Sequence, residues 1–94
     1  MKIEGIIWLE DIIEKLWLKH EVKTFEAEEL FENKPHFRFV EKGHYEGENV
    51  YAAMGQTDSG RYLTTFFVYK QNNEALIISS RTMTSAERKL YGKH

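Results

Sequence analysis

Arg81 is the residue of this chain best placed to do chemistry. It ends an apolar run, Ile77-Ile78-Ser79-Ser80-Arg81, and a basic segment, Thr84-Ser85-Ala86-Glu87-Arg88-Lys89-Leu90-Tyr91, opens three residues later. A strand that ends on arginine beside a helix start puts a guanidinium at a sheet rim, next to helical N–H groups. Both features suit an anion such as phosphate. Arg81 can instead pair with Glu87, and spacing alone does not separate the two roles. Other chemistries lack their parts. The chain has no cysteine, which excludes disulfides, thiolate metal sites and a cysteine nucleophile. His20, His36, His44 and His94 do not have HExxH spacing, no Gly-rich loop precedes a helix, and there is no GxSxG elbow. Neither a metal nor a cofactor is expected.

Helices and strands must position this arginine. Leu9, Ile12, Ile13, Leu16 and Trp17 recur at helical spacing, with Glu10, Asp11, Glu14 and Lys15 between them. This predicts an amphipathic helix over roughly residues 7–19. His20 falls one turn beyond Leu16, at the edge of the apolar stripe, where packing is the expected role. A second helix is expected from Thr24 as N-cap, with Ala27, Leu30 and Phe31 buried and Asn33-Lys34-Pro35 as its stop. Four strands follow: Phe37–Glu41, Asn49–Gln56, Tyr62–Tyr69 and Ala75–Ser80. Turns at 57–60 and 71–73 are too short for crossovers, so successive strands are antiparallel hairpins. Thr84 and Glu87 form a capping box that starts a last helix, and Gly92 can end it. The expected fold is α+β: two N-terminal helices packed on a four-stranded antiparallel sheet, with a C-terminal helix.

A chain of 94 residues is one domain, residues 1–94, with one small core. The net charge of −2 hides an asymmetry: residues 1–48 carry seven basic and twelve acidic side chains, residues 49–94 six and three. A basic second half allows a polyanion-binding face on an otherwise acidic body. Met1-Lys2-Ile3-Glu4 has no signal-peptide pattern and no apolar run approaches the ~20 residues of a membrane span, so a cytoplasmic protein is expected.

Lys19-His20-Glu21-Val22 resembles the KHxV signature of BrnT-type toxins. Gly55 followed by Gly60-Arg61-Tyr62-Leu63 resembles the central hairpin of that family. Ile77 to Arg81, then Glu87-Arg88 and Tyr91, resembles its closing motif. The ordered set runs from about residue 8 to 91. The family often has an arginine where this chain has Asn49-Val50, and commonly an alanine where this chain has Ser80. The resemblance implies a RelE-like fold and a ribonuclease toxin of a type II toxin–antitoxin pair, neutralised by a small DNA-binding antitoxin.

Metal-independent RNA cleavage needs a base for the 2′-hydroxyl proton, cations for the phosphorane, and an acid for the leaving 5′ oxygen. Arg61 and Arg81 are the electrostatic candidates, and Lys19 matches the family's basic position. His44 and Glu48 are the proton-transfer candidates, His44 because imidazole exchanges protons near neutrality. Lys19, Arg61 and Arg81 all sit at element ends and are expected to converge on one surface. RNA is the implied substrate and the antitoxin the implied partner. A homodimer and a toxin–antitoxin hetero-oligomer are both open. Two other classes stand beside the nuclease: a family member that has lost catalysis and acts as a nucleic-acid or protein binding module, and a gyrase-directed toxin on a related fold.

Overall fold

A computed structural model describes residues 1–93, which leaves His94 outside the described residues. The element order is β1 (Gly5–Ile7), α1 (Glu10–His20), α2 (Thr24–Glu32), β2 (His36–Glu41), β3 (Val50–Gln56), β4 (Tyr62–Tyr69), β5 (Glu74–Thr82) and α3 (Ser85–Tyr91). The turns do what their residues predict. Gly60, at φ +91°, closes the β3–β4 hairpin, and its amide donates to the Thr57 carbonyl. Asn73, at φ +68°, completes the β4–β5 turn, with its amide on the Lys70 carbonyl. Strands β2 to β5 form an antiparallel meander.

The expected four-stranded antiparallel sheet is corrected in one respect. The sheet has five strands, in the order β1-β5-β4-β3-β2, and is mixed, because β1 pairs parallel with the start of β5, Gly5 opposite Glu74 and Ile7 opposite Leu76. The segment expected to open the first helix therefore begins as a strand, and α1 starts at Glu10. The pairing stops at Leu76, so β5 beyond that residue has no strand on its outer side among the described residues.

The register sorts the side chains of the sheet onto two faces. Phe37, Ala53, Phe67 and Ile77 share the face covered by α1 and α2. The core lies there: Leu16 from α1, Val22 from the connection, Leu30 from α2, and Ala53, Leu63, Phe67, Ala75 and Ile77 from the sheet. Phe67 is fully buried at its centre, with ring centroids 5.3 Å from Phe31, 6.0 Å from Phe37 and 6.1 Å from Tyr51. Among the described helices, α3 stands on the opposite face, at one end, where Thr64 donates a 3.0 Å hydrogen bond to Glu87.

Two local expectations change. The N-cap of α2 is Lys23, whose amide donates to the Glu26 carboxylate at 3.0 Å, and Thr24 is the first helical residue. The apolar stripe of α1 is wider than its buried face. Leu16 is buried, but Leu9, Ile13 and Trp17 remain 46%, 38% and 50% exposed. A helix lying at the flank of a small sheet has too little surface beneath it to cover so wide a stripe. No helix among the described residues is long and apolar enough to cross a membrane.

Candidate functional site

The last turn of α1 carries Lys19 and His20 to the end of β5. Two features fix that turn. Glu21 ends the helix in the left-handed region, φ +52°, so its amide and that of Val22 return to the Trp17 and Leu16 carbonyls. Arg61, at the start of β4, then supplies donors for carbonyls that the helix leaves unpaired. One guanidinium nitrogen donates to the Glu21 carbonyl at 2.7 Å and the other to the His20 carbonyl at 2.9 Å. The first also pairs with Glu26 at 3.3 Å. The tip that presents Arg61 is itself held to α2, through Asp58 N–H on Glu29 and Asn33 on Asp58 and the Gln56 carbonyl.

Lys19, His20 and Arg81 line one open depression, together with Leu18, Glu21 and Thr82. The three positions expected to converge do gather at this end of the molecule. Two of them, Lys19 and Arg81, line the depression. Arg61 stands behind it, with its donors committed to the backbone of His20 and Glu21. His20, expected to be a packing residue, lines the same depression. A sequence signal was present, since His20 directly follows Lys19, but its place at the edge of an apolar stripe masked it.

Arg81 is held as well as presented. Its two guanidinium nitrogens donate to the two Glu87 carboxylate oxygens at 2.7 and 3.0 Å, and its charge lies 5.2 Å from the Phe66 ring centre. Glu87 also accepts from the Thr84 amide at 2.9 Å and the Thr64 hydroxyl at 3.0 Å. Burial alone would raise the Glu87 carboxyl. The Arg81 guanidinium, the Thr84 amide and the Thr64 hydroxyl outweigh it and hold the group at about 2, below its ordinary 4.5. Glu87 is therefore an ionised anchor at neutral pH, and both roles weighed for Arg81, pairing with Glu87 and facing an anion, are geometrically compatible.

This network makes stability depend on pH with a definite sign. A carboxyl whose folded value is depressed contributes fully above its unfolded value and loses that contribution as pH falls towards its folded value. The wild type is expected to lose about 1–2 kcal/mol more than Glu87→Gln between pH 5 and pH 2, solvent screening being allowed for at this partly exposed pair. Urea melts of both proteins across that range check it, and parallel losses would refute it.

His44 and Glu48 are not part of the depression. They line a separate pocket under the 42–49 loop, with Val50, Val68, Leu76 and Ile78 on its floor. Val68 lies four residues along β4 from Thr64, the partner of Arg81 in the ladder, a separation of about 13 Å. That is beyond hydrogen-bond reach of one phosphate. Glu48 is committed to the loop: it accepts from Lys70 at 2.8 Å and from the Gln71 amide at 3.4 Å, and the Lys70 hydrogen bond holds its carboxyl below the ordinary carboxylate value. The loop closes tightly at Gly43, where a Cβ would fall 1.8 Å from the Glu48 carbonyl oxygen.

Arg38 is a residue that the sequence did not single out. It lies on β2, on the sheet face away from α1 and α2, and lines a cleft that also reaches Arg81 and Glu87. Among the described residues, no group of three or more His, Cys, Asp or Glu side chains is placed to hold a metal ion.

The sequence matches the family described as ribonuclease toxin, BrnT, of type II toxin-antitoxin system, over residues 8–87. No curated protein matches it. Its fold is similar to that of the Brucella abortus ribonuclease toxin BrnT, a crystal structure at 1.1 Å. The TM-score is 0.60 at 16% sequence identity, covering 89% of this chain and 100% of that one. At that identity the likeness speaks to the fold.

Proposed function

Because this chain belongs to the BrnT family of ribonuclease toxins of type II toxin–antitoxin systems, we propose that it cleaves RNA without a metal ion, at the depression where α1 meets the end of β5. One observation carries the proposal: Lys19, His20 and Arg81, two cations and an imidazole, line a single surface depression. His20 takes the proton of a ribose 2′-hydroxyl, and the 2′ oxygen attacks the adjacent phosphorus. Arg81 and Lys19 stabilise the charge that builds on the phosphorane oxygens. The bond from phosphorus to the 5′ oxygen breaks, that oxygen leaves with the electron pair, and the Lys19 ammonium protonates it. The products are a 2′,3′-cyclic phosphate and a 5′-hydroxyl. Arg61 acts through position alone, holding the turn that carries Lys19 and His20.

The antitoxin is the proposed partner. Leu9, Ile13 and Trp17 offer an exposed apolar stripe, and Glu10 and Glu14 follow it around α1. An acidic, apolar surface complements a basic DNA-binding protein and repels a second copy of itself.

The test is incubation of purified protein with single-stranded RNA in EDTA, with product ends identified by mass. Cyclic phosphate ends are expected. Tight RNA binding without cleavage would transfer the protein to the binding-module class. Cleavage that appears only on adding a divalent ion would refute metal independence.

A further inference from the structure

Arginines in this protein are mostly engaged within the fold. Arg61 binds helix carbonyls, Arg81 pairs with Glu87, and Arg88 lies 3.5 Å from the centre of the Tyr62 ring. Arg38 is exposed and makes no hydrogen bond or ion pair among the described residues. Its position is set by the ladder. Arg38 faces Ala52, which faces Phe66, which faces Ser79, so the row from β2 to β5 crosses the sheet. Arg81 is two residues further along β5. The two arginines thus stand on strands three spacings apart, about 14 Å, across a floor of Ala52, Met54 and Phe66. The floor is apolar at its centre, with the Arg38 guanidinium at one end and the Arg81–Glu87 ion pair at the other. The helices α1 and α2 leave this face open.

We infer that this cleft is the path of the RNA strand and that Arg38 holds a phosphate further along the strand from the one being cleaved. The inference rests on the proposed nuclease reading and deepens it, since it names a substrate-positioning residue away from the reacting atoms. Arg81 takes the scissile phosphate at one end. The strand then crosses the sheet with a base against Met54 and Phe66, and Arg38 takes the phosphate at the other end. A flat floor with spaced guanidiniums suits a single strand, whose unstacked bases can lie on apolar and aromatic side chains. Glu87 does not oppose this, because its carboxylate is satisfied by Arg81, Thr64 and the Thr84 amide.

The experiment uses Arg38→Ala and Arg38→Lys with a short single-stranded RNA, and with the same oligonucleotide carrying 2′-deoxy sugars, which binds but cannot cyclise. Arg38→Ala is expected to weaken binding of the deoxy probe about 5–10-fold. It should also lower the salt slope of binding by about 0.7, the value for one phosphate of a single strand no longer neutralised. KM should rise by a similar factor with kcat within about twofold, and Arg38→Lys should recover the salt slope. The melting temperature should not move, since the substitution breaks no hydrogen bond or ion pair of the fold. A deoxy probe bound with unchanged affinity and slope would overturn the inference, and so would a loss confined to kcat. A wild type that binds the probe but cleaves no RNA refutes the nuclease reading alone and leaves the binding path to be judged by the deoxy data. A wild type that binds neither RNA refutes both.

Discussion

Arg81→Ala is expected to lower RNA cleavage by about 10²–10³-fold while the protein stays folded, because one oriented charge beside the phosphorane is typically worth that much. Arg81 is half-buried at the end of β5, and its loss opens no cavity in the core, which lies on the other face. Glu87 would keep its hydrogen bonds from the Thr84 amide and the Thr64 hydroxyl, so α3 should stay anchored. Arg81→Lys should not restore full activity. The two parallel bonds to Glu87, at 2.7 and 3.0 Å, fix the guanidinium plane, and an ammonium cannot reproduce that fork. The assay is cleavage of RNA by purified variants and growth on induction, with thermal melts as the folding control. Glu87→Gln separates the roles. If Arg81 serves only to lock α3, Glu87→Gln should cost as much activity as Arg81→Ala. If Arg81 contacts the phosphate, Glu87→Gln should cost much less. A fully active, normally folded Arg81→Ala protein would remove Arg81 from the site. His20→Ala in the same assay should lower kcat/KM by about 10²–10⁴-fold, the typical contribution of a positioned general base.

Arg61→Ala should produce the largest loss of stability among the charged positions of this site. Its guanidinium donates to the His20 and Glu21 carbonyls at 2.9 and 2.7 Å and pairs with Glu26 at 3.3 Å, and both side chains are largely shielded from solvent. Removing it leaves carbonyls at a helix end without donors and a carboxylate without its countercharge. Hydrogen bonds to charged groups contribute about 1.5–3 kcal/mol each, and the bonds of one group do not add independently, so a total near 2–4 kcal/mol is expected. For a domain of this size that corresponds to a fall of roughly 10–20 °C in Tm. Arg61→Lys should recover only part, since an ammonium cannot span both carbonyls and the carboxylate in one plane. Cleavage should fall as well, because the turn carrying Lys19 and His20 loses its brace. The two arginines are thereby distinguished: Arg81→Ala should lose activity with only a small fall in Tm, the loss of one ion pair with Glu87, and Arg61→Ala should lose both activity and much of the stability. An unchanged melt for Arg61→Ala would mean that the Glu21 turn holds the end of α1 without help.

Much of this molecule follows from chemistry that acts over a few residues. Thr57-Asp58-Ser59-Gly60 and Gln71-Asn72-Asn73 determine hairpins, and the antiparallel order of β3, β4 and β5 follows from them. Thr84 and Glu87 start α3 by a reciprocal cap three residues apart. The family motifs, read in order, placed Lys19 and Arg81 at element ends, and both line the same depression. Tertiary structure decided the rest, because the deciding partners lie far along the chain. Strand β1 is three residues long and exists by pairing with Glu74 to Leu76, about seventy positions away, so no local pattern announces it. The periodicity of α1 gives the direction of its apolar stripe but not how much of it the sheet covers, which left Trp17 and Ile13 exposed. Arg61 reads as an ordinary hairpin arginine until the register brings it to carbonyls forty residues earlier. His44 and Glu48 suit proton transfer by residue type, yet their loop closes over the far end of the sheet, and only the strand register shows that they cannot share a phosphate with Arg81.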